Sequence, residues 1–284
     1  MILFINRARQ YSPNNESNDK AILQAVANNV AIQTDEEIQF IDEEDFILLQ
    51  PPYHFPQLTH IFTMSRSQEA INILATLNNQ GTKIINPPEG LINTERELLL
   101  NCMLQVGTPI PKTHIINPDH DICLNNIDYP LWLKKCEGSA QHQDDVIFIE
   151  NTKQLKNVCN KFIKENINKV LVCEHIKGDI IKFYGVEGTD FFHVSYPTAN
   201  AINTKFGLEL HNGKPNFYTF NIEKLKEHVT KLSHYCHLPI YGGDAIISKK
   251  GLFYIIDFND WPSFSSCKDP AAKAIVKRFF QPST

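Results

Sequence analysis

No CxxC pair occurs among the seven cysteines, Cys102, Cys123, Cys136, Cys159, Cys173, Cys236 and Cys267. Their odd number and scattered spacing argue against a disulfide framework or a structural zinc site. They read as free thiols of a reducing cytoplasm, mostly buried as small apolar side chains. A basic excess is also missing. The chain has 27 Lys plus Arg against 32 Asp plus Glu, a net charge of -5, and no long charge run, which argues against a dedicated nucleic-acid binder. No apolar run approaches the ~18 residues needed to cross a bilayer, so no membrane partner is expected. The opening Met-Ile-Leu-Phe-Ile is too short for a signal peptide, has no basic stretch before it, and reads as a first strand. There is no internal repeat, no low-complexity segment, and no convincing Ser-His-Asp or Cys-His arrangement. What remains is a soluble globular composition, 42% hydrophobic and 21% charged over 284 residues, enough for one large domain or two modest ones.

Strand and helix signals alternate over the first 86 residues. Strands are expected at 2–6, 38–41, 46–49, 60–64 and 83–86, with helices at 19–29 and 67–79, which makes a small open α/β domain. Ligands of such sheets bind beyond the carboxyl ends of the strands. Asn6, Arg7, Ser65 and Arg66 occupy such ends, and solvated loop residues are the competing reading for each. Further on, strands are expected at 129–134, 146–149, 170–176, 180–186 and 191–196. An aromatic, Asn-rich region runs to Phe220, and helices are expected at 94–106, 153–165, 222–236 and 270–280.

The most informative stretch is Tyr241-Gly-Gly-Asp244 through Asp257-Phe-Asn259, two β-rich runs around a Lys-Lys-Gly turn, which reads as a β-hairpin. If Lys250 and Gly251 form a two-residue loop, Asp244 lies across from Asp257, and Asn259 shares the face of Asp257. Facing Cβ atoms in such a pair are about 5 Å apart, and like charges there destabilise. Two carboxylates and an amide oxygen on one face suit a hard divalent cation such as magnesium. The bland alternative is an ordinary acidic hairpin edge.

From about residue 86 to 268 the order of pieces resembles the ATP-grasp superfamily. The closest patterns are the ribosomal-protein glutamate ligases, the D-alanine–D-alanine ligases and the inositol trisphosphate 5/6-kinases. The resemblance implies α/β and α+β architecture: an ATP-grasp domain over 87–284, hinged near 173–178, preceded by a pre-ATP-grasp α/β domain over 1–86. It implies ATP and magnesium, with manganese as an alternative, and Asp244, Asp257 and Asn259 as metal ligands. Arg96 stands ahead of Gly107-Thr-Pro-Ile-Pro-Lys-Thr113 as the family's early basic residue. Pro130-Leu-Trp-Leu-Lys134 places Lys134 on the nucleotide phosphates, with Lys135 as the substitute if the register slips by one.

The phosphate loop corresponds to Glu137-Gly-Ser139-Ala-Gln-His142, with one glycine where relatives have several. The resemblance implies Ser139 as its nucleotide contact, and His142 matches a substrate-contacting histidine of the inositol-phosphate kinases. By the same resemblance Glu174, His175 and Ile176 would lie on the hinge that meets the adenine edge, Asp179 on the ribose, and Lys182 on the transferring phosphoryl group. Two departures stand out. Gly242-Gly243 replaces an arginine usual just before the first aspartate, and Asp260-Trp-Pro-Ser-Phe replaces the usual Pro-Gly after the asparagine.

The implied activity is an ADP-forming ligation of a small carboxylate to an amine or thiol through an acyl phosphate, with Lys182 and Asp257 catalytic. A kinase acting on a small hydroxyl substrate, and a non-catalytic ATP-binding protein, remain open alternatives. A homodimer is common in the superfamily. Lys20, Arg7, Arg66, Lys205 and His211 are open candidates for substrate contact.

Overall fold

The computed structural model describes residues 1–13, 15–49, 57–120, 122, 124, 126–136, 145–197 and 211–280. Strands β1 (Ile2–Asn6), β2 (Ile38–Asp42), β3 (His60–Thr63) and β4 (Lys83–Ile85) form a parallel sheet in the order β2-β1-β3-β4. Every residue of β1 is buried, because helices cover both faces of the sheet, as parallel pairing requires. Phe4 and Phe62 pack under helices α1 (Glu16–Val30) and α8 (Lys268–Phe280). Leu3, Ile5 and Ile61 pack under α3 (Gln68–Asn79), whose N-terminus is capped by the Ser67 hydroxyl on the Ala70 N–H.

The strand expected at 46–49 is absent. Residues Glu43–Phe46 instead form one helical turn, α2. The cause is Glu43, only 1% exposed, whose Oε1 accepts the N–H groups of Arg66 (2.8 Å) and Ser67 (2.7 Å) while Oε2 accepts that of Ala8 (2.9 Å). This buried carboxylate ties the loops that leave β1 and β3, and it needs a helical turn to face both. Phe46, fully buried, closes the core beneath it.

After α4 (Pro88–Ile92) and α5 (Arg96–Gln105), strands β5 (Thr113–Ile116), β6 (Leu131–Lys135), β7 (Val146–Ile149) and β8 (Val170–Glu174) make an antiparallel sheet, β5-β8-β6-β7. It is backed by α6 (Thr152–Lys164) through Leu155, Cys159 and Phe162. Strands β9 (Asp179–Val186), β10 (Phe192–Ser195), β11 (Ile240–Ile247) and β12 (Phe253–Asp260) make a second antiparallel sheet, β10-β9-β11-β12. Helices α5 and α7 (Ile222–Tyr235) cover one of its faces through Leu99, Met103, Leu225, Val229 and Leu232. On the opposite face Tyr184 and Val186 join the core with Trp261, Phe264 and Ile275, while Lys182 and Asp244 stay half-exposed.

Chain segments on either side of residue 86 share one core. Trp261, Phe264 and Ile275 pack with Phe4 and Phe62. The Trp261 indole N–H donates to the Ile85 carbonyl (3.1 Å), and the Asn86 amide pairs with both backbone groups of Ile240 (2.7 and 2.9 Å). The parallel sheet is therefore completed by the C-terminal helix, and the strand-end loops of the first 86 residues are held against the tail of β12.

Candidate active site

Lys182, Asp244 and Asp257 stand in one row across three adjacent strands, Lys182 opposite Asp244 and Asp244 opposite Asp257. Their neighbours Ile181, Phe183, Ala245 and Phe258 are buried under α5 and α7, and strand alternation turns the polar residues to the other face. The expected pairing of the aspartates is present, but the expected two-residue loop is not. The loop has three residues, Lys249, Lys250 and Gly251, closed by Ser248 N–H to Leu252 O and Gly251 N–H to Ser248 O, both 2.8 Å. Gly251 holds φ +75°, the left-handed conformation such a loop needs. A bulge then restores the register: Ala245 pairs with Ile255 but Asp244 with Asp257, leaving Ile256 as the extra residue.

The charges of the row are partly compensated within the protein. Lys182 Nζ lies 3.0 Å from Asp244 Oδ1. Asp257 accepts the Phe258 N–H (3.1 Å) on one oxygen and the Asn259 amide N–H (2.8 Å) on the other. Among the described residues no cluster of three or more His, Cys, Asp or Glu is placed to hold a metal. The donor set here is two carboxylates and one amide oxygen, hard oxygen ligands that fit magnesium or manganese.

The first antiparallel sheet supplies the facing wall. Lys134 on β6 donates from Nζ to the carbonyl of Ile256 (3.0 Å), the residue at the bulge. Lys135 points away, to Asp145 (3.1 Å), Glu165 (3.4 Å) and the Phe162 ring. Of the two adjacent lysines, the structure therefore turns Lys134 toward the site. Arg96, first residue of α5, donates to the Lys135 carbonyl. Burial lowers its pKa, opposed by the nearby charges of Asp257 and Asp145.

Trp132 shares the face of Lys134, two residues along the strand, and pairs with Phe148 on β7. With His175 and His211 these rings form an aromatic cluster. Phe148 stacks on His211 at 4.1 Å between centroids, and the Trp132 indole N–H donates to His175 Nδ1 (3.1 Å). Burial lowers the His175 pKa, helped by His211 and Lys177, which favours the neutral ring whose Nδ1 accepts this bond. Sequence reasoning did not single out Trp132 and Phe148. Trp132 was findable, since residues two apart on a strand share a face. Phe148 needed the pairing of β6 with β7.

Glu174 is bound on both backbone and side chain to Lys112, with its N–H on the Lys112 carbonyl (2.8 Å) and its Oε2 accepting the Lys112 N–H (3.3 Å). Ile176 follows in a half-buried, non-strand segment between β8 and β9. Asp179 does not match a ribose contact. It is 1% exposed, and its two oxygens accept the N–H groups of Asn216 and Tyr218, both at 2.7 Å. Its carboxylate pins the 216–218 segment. Ser139, His142 and Lys205 lie outside the described residues. Lys20 pairs with Asp42 (3.4 Å). Arg7 bonds to Trp261 O (2.8 Å), Met64 O (3.3 Å) and Asp19 (3.3 Å), and Arg66 to Asp260 (2.5 Å). Both arginines thus join the strand-end loops to the tail of β12.

Neither glycine ahead of Asp244 has room for a side chain: a Cβ on Gly243 would lie 2.2 Å from the Asp257 carbonyl oxygen. A Cβ on Gly242 would lie 2.7 Å from Pro262 Cγ and 2.9 Å from Tyr184 Cδ1, so the altered tail and the Tyr184 ring occupy the space a side chain would need. Gly242→Ala is expected to destabilise the fold by about 1–3 kcal/mol through overpacking, as a shift in the urea unfolding midpoint with an unchanged slope.

No protein-family model matches the chain, and no curated protein matches its sequence. Its structure, however, is similar along its whole length to solved ATP-grasp proteins. A RimK-domain ATP-grasp protein from Sphaerobacter thermophilus superposes with a TM-score of 0.71 at 13% identity, covering 99% of this chain and 100% of that one. D-alanyl-alanine synthetase A from Vibrio cholerae gives 0.68 at 10% identity, with 97% and 96% covered. A D-alanine–D-alanine ligase from Bacillus anthracis, complexed with ATP, gives 0.60 at 13% identity, with 97% and 96% covered. The chain has the ATP-grasp fold, preceded by the small open α/β unit expected from its sequence.

Proposed function

We propose that this chain is an ATP-dependent, ADP-forming ligase that joins a small carboxylate to an amine or thiol through an acyl phosphate. The observation that carries this reading is the row Lys182–Asp244–Asp257 faced by Lys134. It gathers two ammonium groups and two carboxylates between the two antiparallel sheets, and several of the solved structures with this fold are ligases. In the proposed reaction a carboxylate oxygen attacks the γ-phosphorus of ATP and ADP leaves. The amine or thiol then attacks the acyl carbon, phosphate departs with the bridging oxygen, and the nucleophile's proton is released. Lys134 and Lys182 neutralise phosphate charge, Arg96 adds a third cation beside Asp257, and the chemistry is positioning plus electrostatics. Asp244, Asp257 and Asn259 would hold magnesium, which supplies charge neutralisation at the ATP phosphates. Trp132, Phe148 and His175 would flank the base at the hinge. The six described cysteines are free and buried, which supports a reducing, cytoplasmic setting.

The test is ADP release from ATP and magnesium against panels of carboxylates, amines, thiols, alcohols and inositol phosphates. Release that requires a carboxylate together with an amine or thiol is the expected result. Release driven by an alcohol or phosphorylated polyol would replace the ligase with a kinase. Magnesium-dependent ATP binding without release under any condition would replace it with a nucleotide-binding protein.

A further inference from the structure

A cavity of about 330 Å³ opens at the carboxyl ends of β1 and β2, with Arg7, which donates to the Trp261 carbonyl, in its lining. Eight charged residues line it, three basic and five acidic. Each base has an acid beside it: Arg7 with Asp19 (3.3 Å), Arg9 with Glu16 (3.7 Å) and Lys20 with Asp42 (3.4 Å). Two carboxylates, Glu44 and Asp45, remain without a basic partner among the described residues, so the lining carries an excess of two negative charges. Asp19 is 3% exposed, and its Oδ1 is buried with no hydrogen-bond partner among the described residues, while its Oδ2 takes the Ser12 hydroxyl (2.6 Å) and Arg7. The Oδ1 of Asn6, whose amide N–H groups reach Asp42, is also buried and without a partner among the described residues. Buried acceptors are rarely left unsatisfied. Here they sit at the position where open parallel sheets bind ligands.

We propose that this cavity binds a diamine or polyamine. Two ammonium groups match the excess of two carboxylates, and an ammonium N–H is the donor that the Asp19 Oδ1 lacks. An anionic ligand is opposed by the same charge excess. Arg7 links the cavity to the tail of β12, since its guanidinium touches both Asp19 and the Trp261 carbonyl, two residues beyond Asn259. On the ligase reading one of the two amines gives up its proton and serves as the co-substrate, while the other ammonium stays on the carboxylates of the cavity. Binding stands on the residues of the cavity; the co-substrate role rests on the ligase reading.

The test is calorimetric titration of 1,4-diaminobutane and spermidine into the full chain, with n-butylamine, 1,4-butanediol and magnesium chloride as controls. A Glu44→Gln, Asp45→Asn double variant is measured alongside. Both residues are exposed on α2, so the fold is expected to tolerate the change, and Asp19 is left in place because it holds Arg7. Wild type is expected to bind the diamine at least about tenfold more tightly than n-butylamine, and the double variant to lose about that factor. The diol is expected to give no heat. No diamine binding, equal affinity in the double variant, or magnesium at the same concentration abolishing the binding would each overturn the site. ADP release that depends on a carboxylate and rises with diamine in wild type, but needs more diamine in the double variant, supports the co-substrate role. Diamine binding without diamine-stimulated ADP release overturns that role and leaves the binding site standing. ADP release that needs another amine or a thiol keeps the ligase reading and also removes the diamine from it.

Discussion

Asp257→Asn is expected to lower magnesium-dependent ADP release by more than about 100-fold while leaving the unfolding midpoint nearly unchanged. The substitution is nearly isosteric. An asparagine oxygen still accepts the Phe258 N–H, and Asp257 is exposed rather than part of the core. What disappears is one negative charge from a pair that faces Asp244 directly across β11 and β12. Removing one of two opposed carboxylates relieves repulsion in the metal-free protein, so stability is expected to hold or rise slightly. The loss is confined to cation binding. Activity and magnesium affinity measured on the same preparation check this. Full activity in the variant would remove Asp257 from the metal site, and with it the argument for the row.

Lys134→Ala is expected to weaken ATP binding by about 10- to 100-fold, the roughly 1.5–3 kcal/mol of a hydrogen bond to a charged group in a partly water-excluded cleft. In the protein alone the ammonium rests on the Ile256 carbonyl at the bulge, its one hydrogen bond among the described residues, whose removal costs little stability. Lys135→Ala is the internal control. It breaks contacts to Asp145 and Glu165, so it is expected to destabilise the β6–α6 layer and leave nucleotide affinity unchanged. Titration of a fluorescent ATP analogue into the three proteins separates the cases. Equal affinity in wild type and Lys134→Ala would remove the phosphate role from Lys134.

The pairing of Asp244 with Asp257 was legible because a hairpin's register follows from its turn. It came out right although the turn itself was misread, since an extra loop residue and an extra bulge residue cancel. A bulge leaves no mark in residue types here. Its effect on Ile256, a carbonyl turned toward Lys134, was correspondingly invisible. The adjacent lysines 134 and 135 could not be told apart by type alone. Burial of Leu131 and Leu133 in the sheet core decides it, turning Trp132 and Lys134 to the other face.

Asp179 was misjudged for a related reason. A carboxylate after a glycine looks available to a ligand, but its partners, the backbone N–H groups of Asn216 and Tyr218, come from a segment more than thirty residues on. Glu43 is the same case in the α/β unit, its role set by Ala8, Arg66 and Ser67.

By itself the sequence determined what depends on neighbours along the chain: the alternation of strands and helices, the hairpin, the face shared by Asp257 and Asn259, and the oxygen-rich chemistry that suits a hard cation. Only the tertiary structure decided what depends on distant segments meeting. It brought Lys134 to the bulge carbonyl, closed the aromatic cluster around His175, and filled the space above Gly242 with Tyr184 and Pro262. It also set Arg7 and Arg66 against the tail of β12. Periodicity and turn chemistry are local, whereas these contacts follow from how three sheets bury their apolar faces against one another.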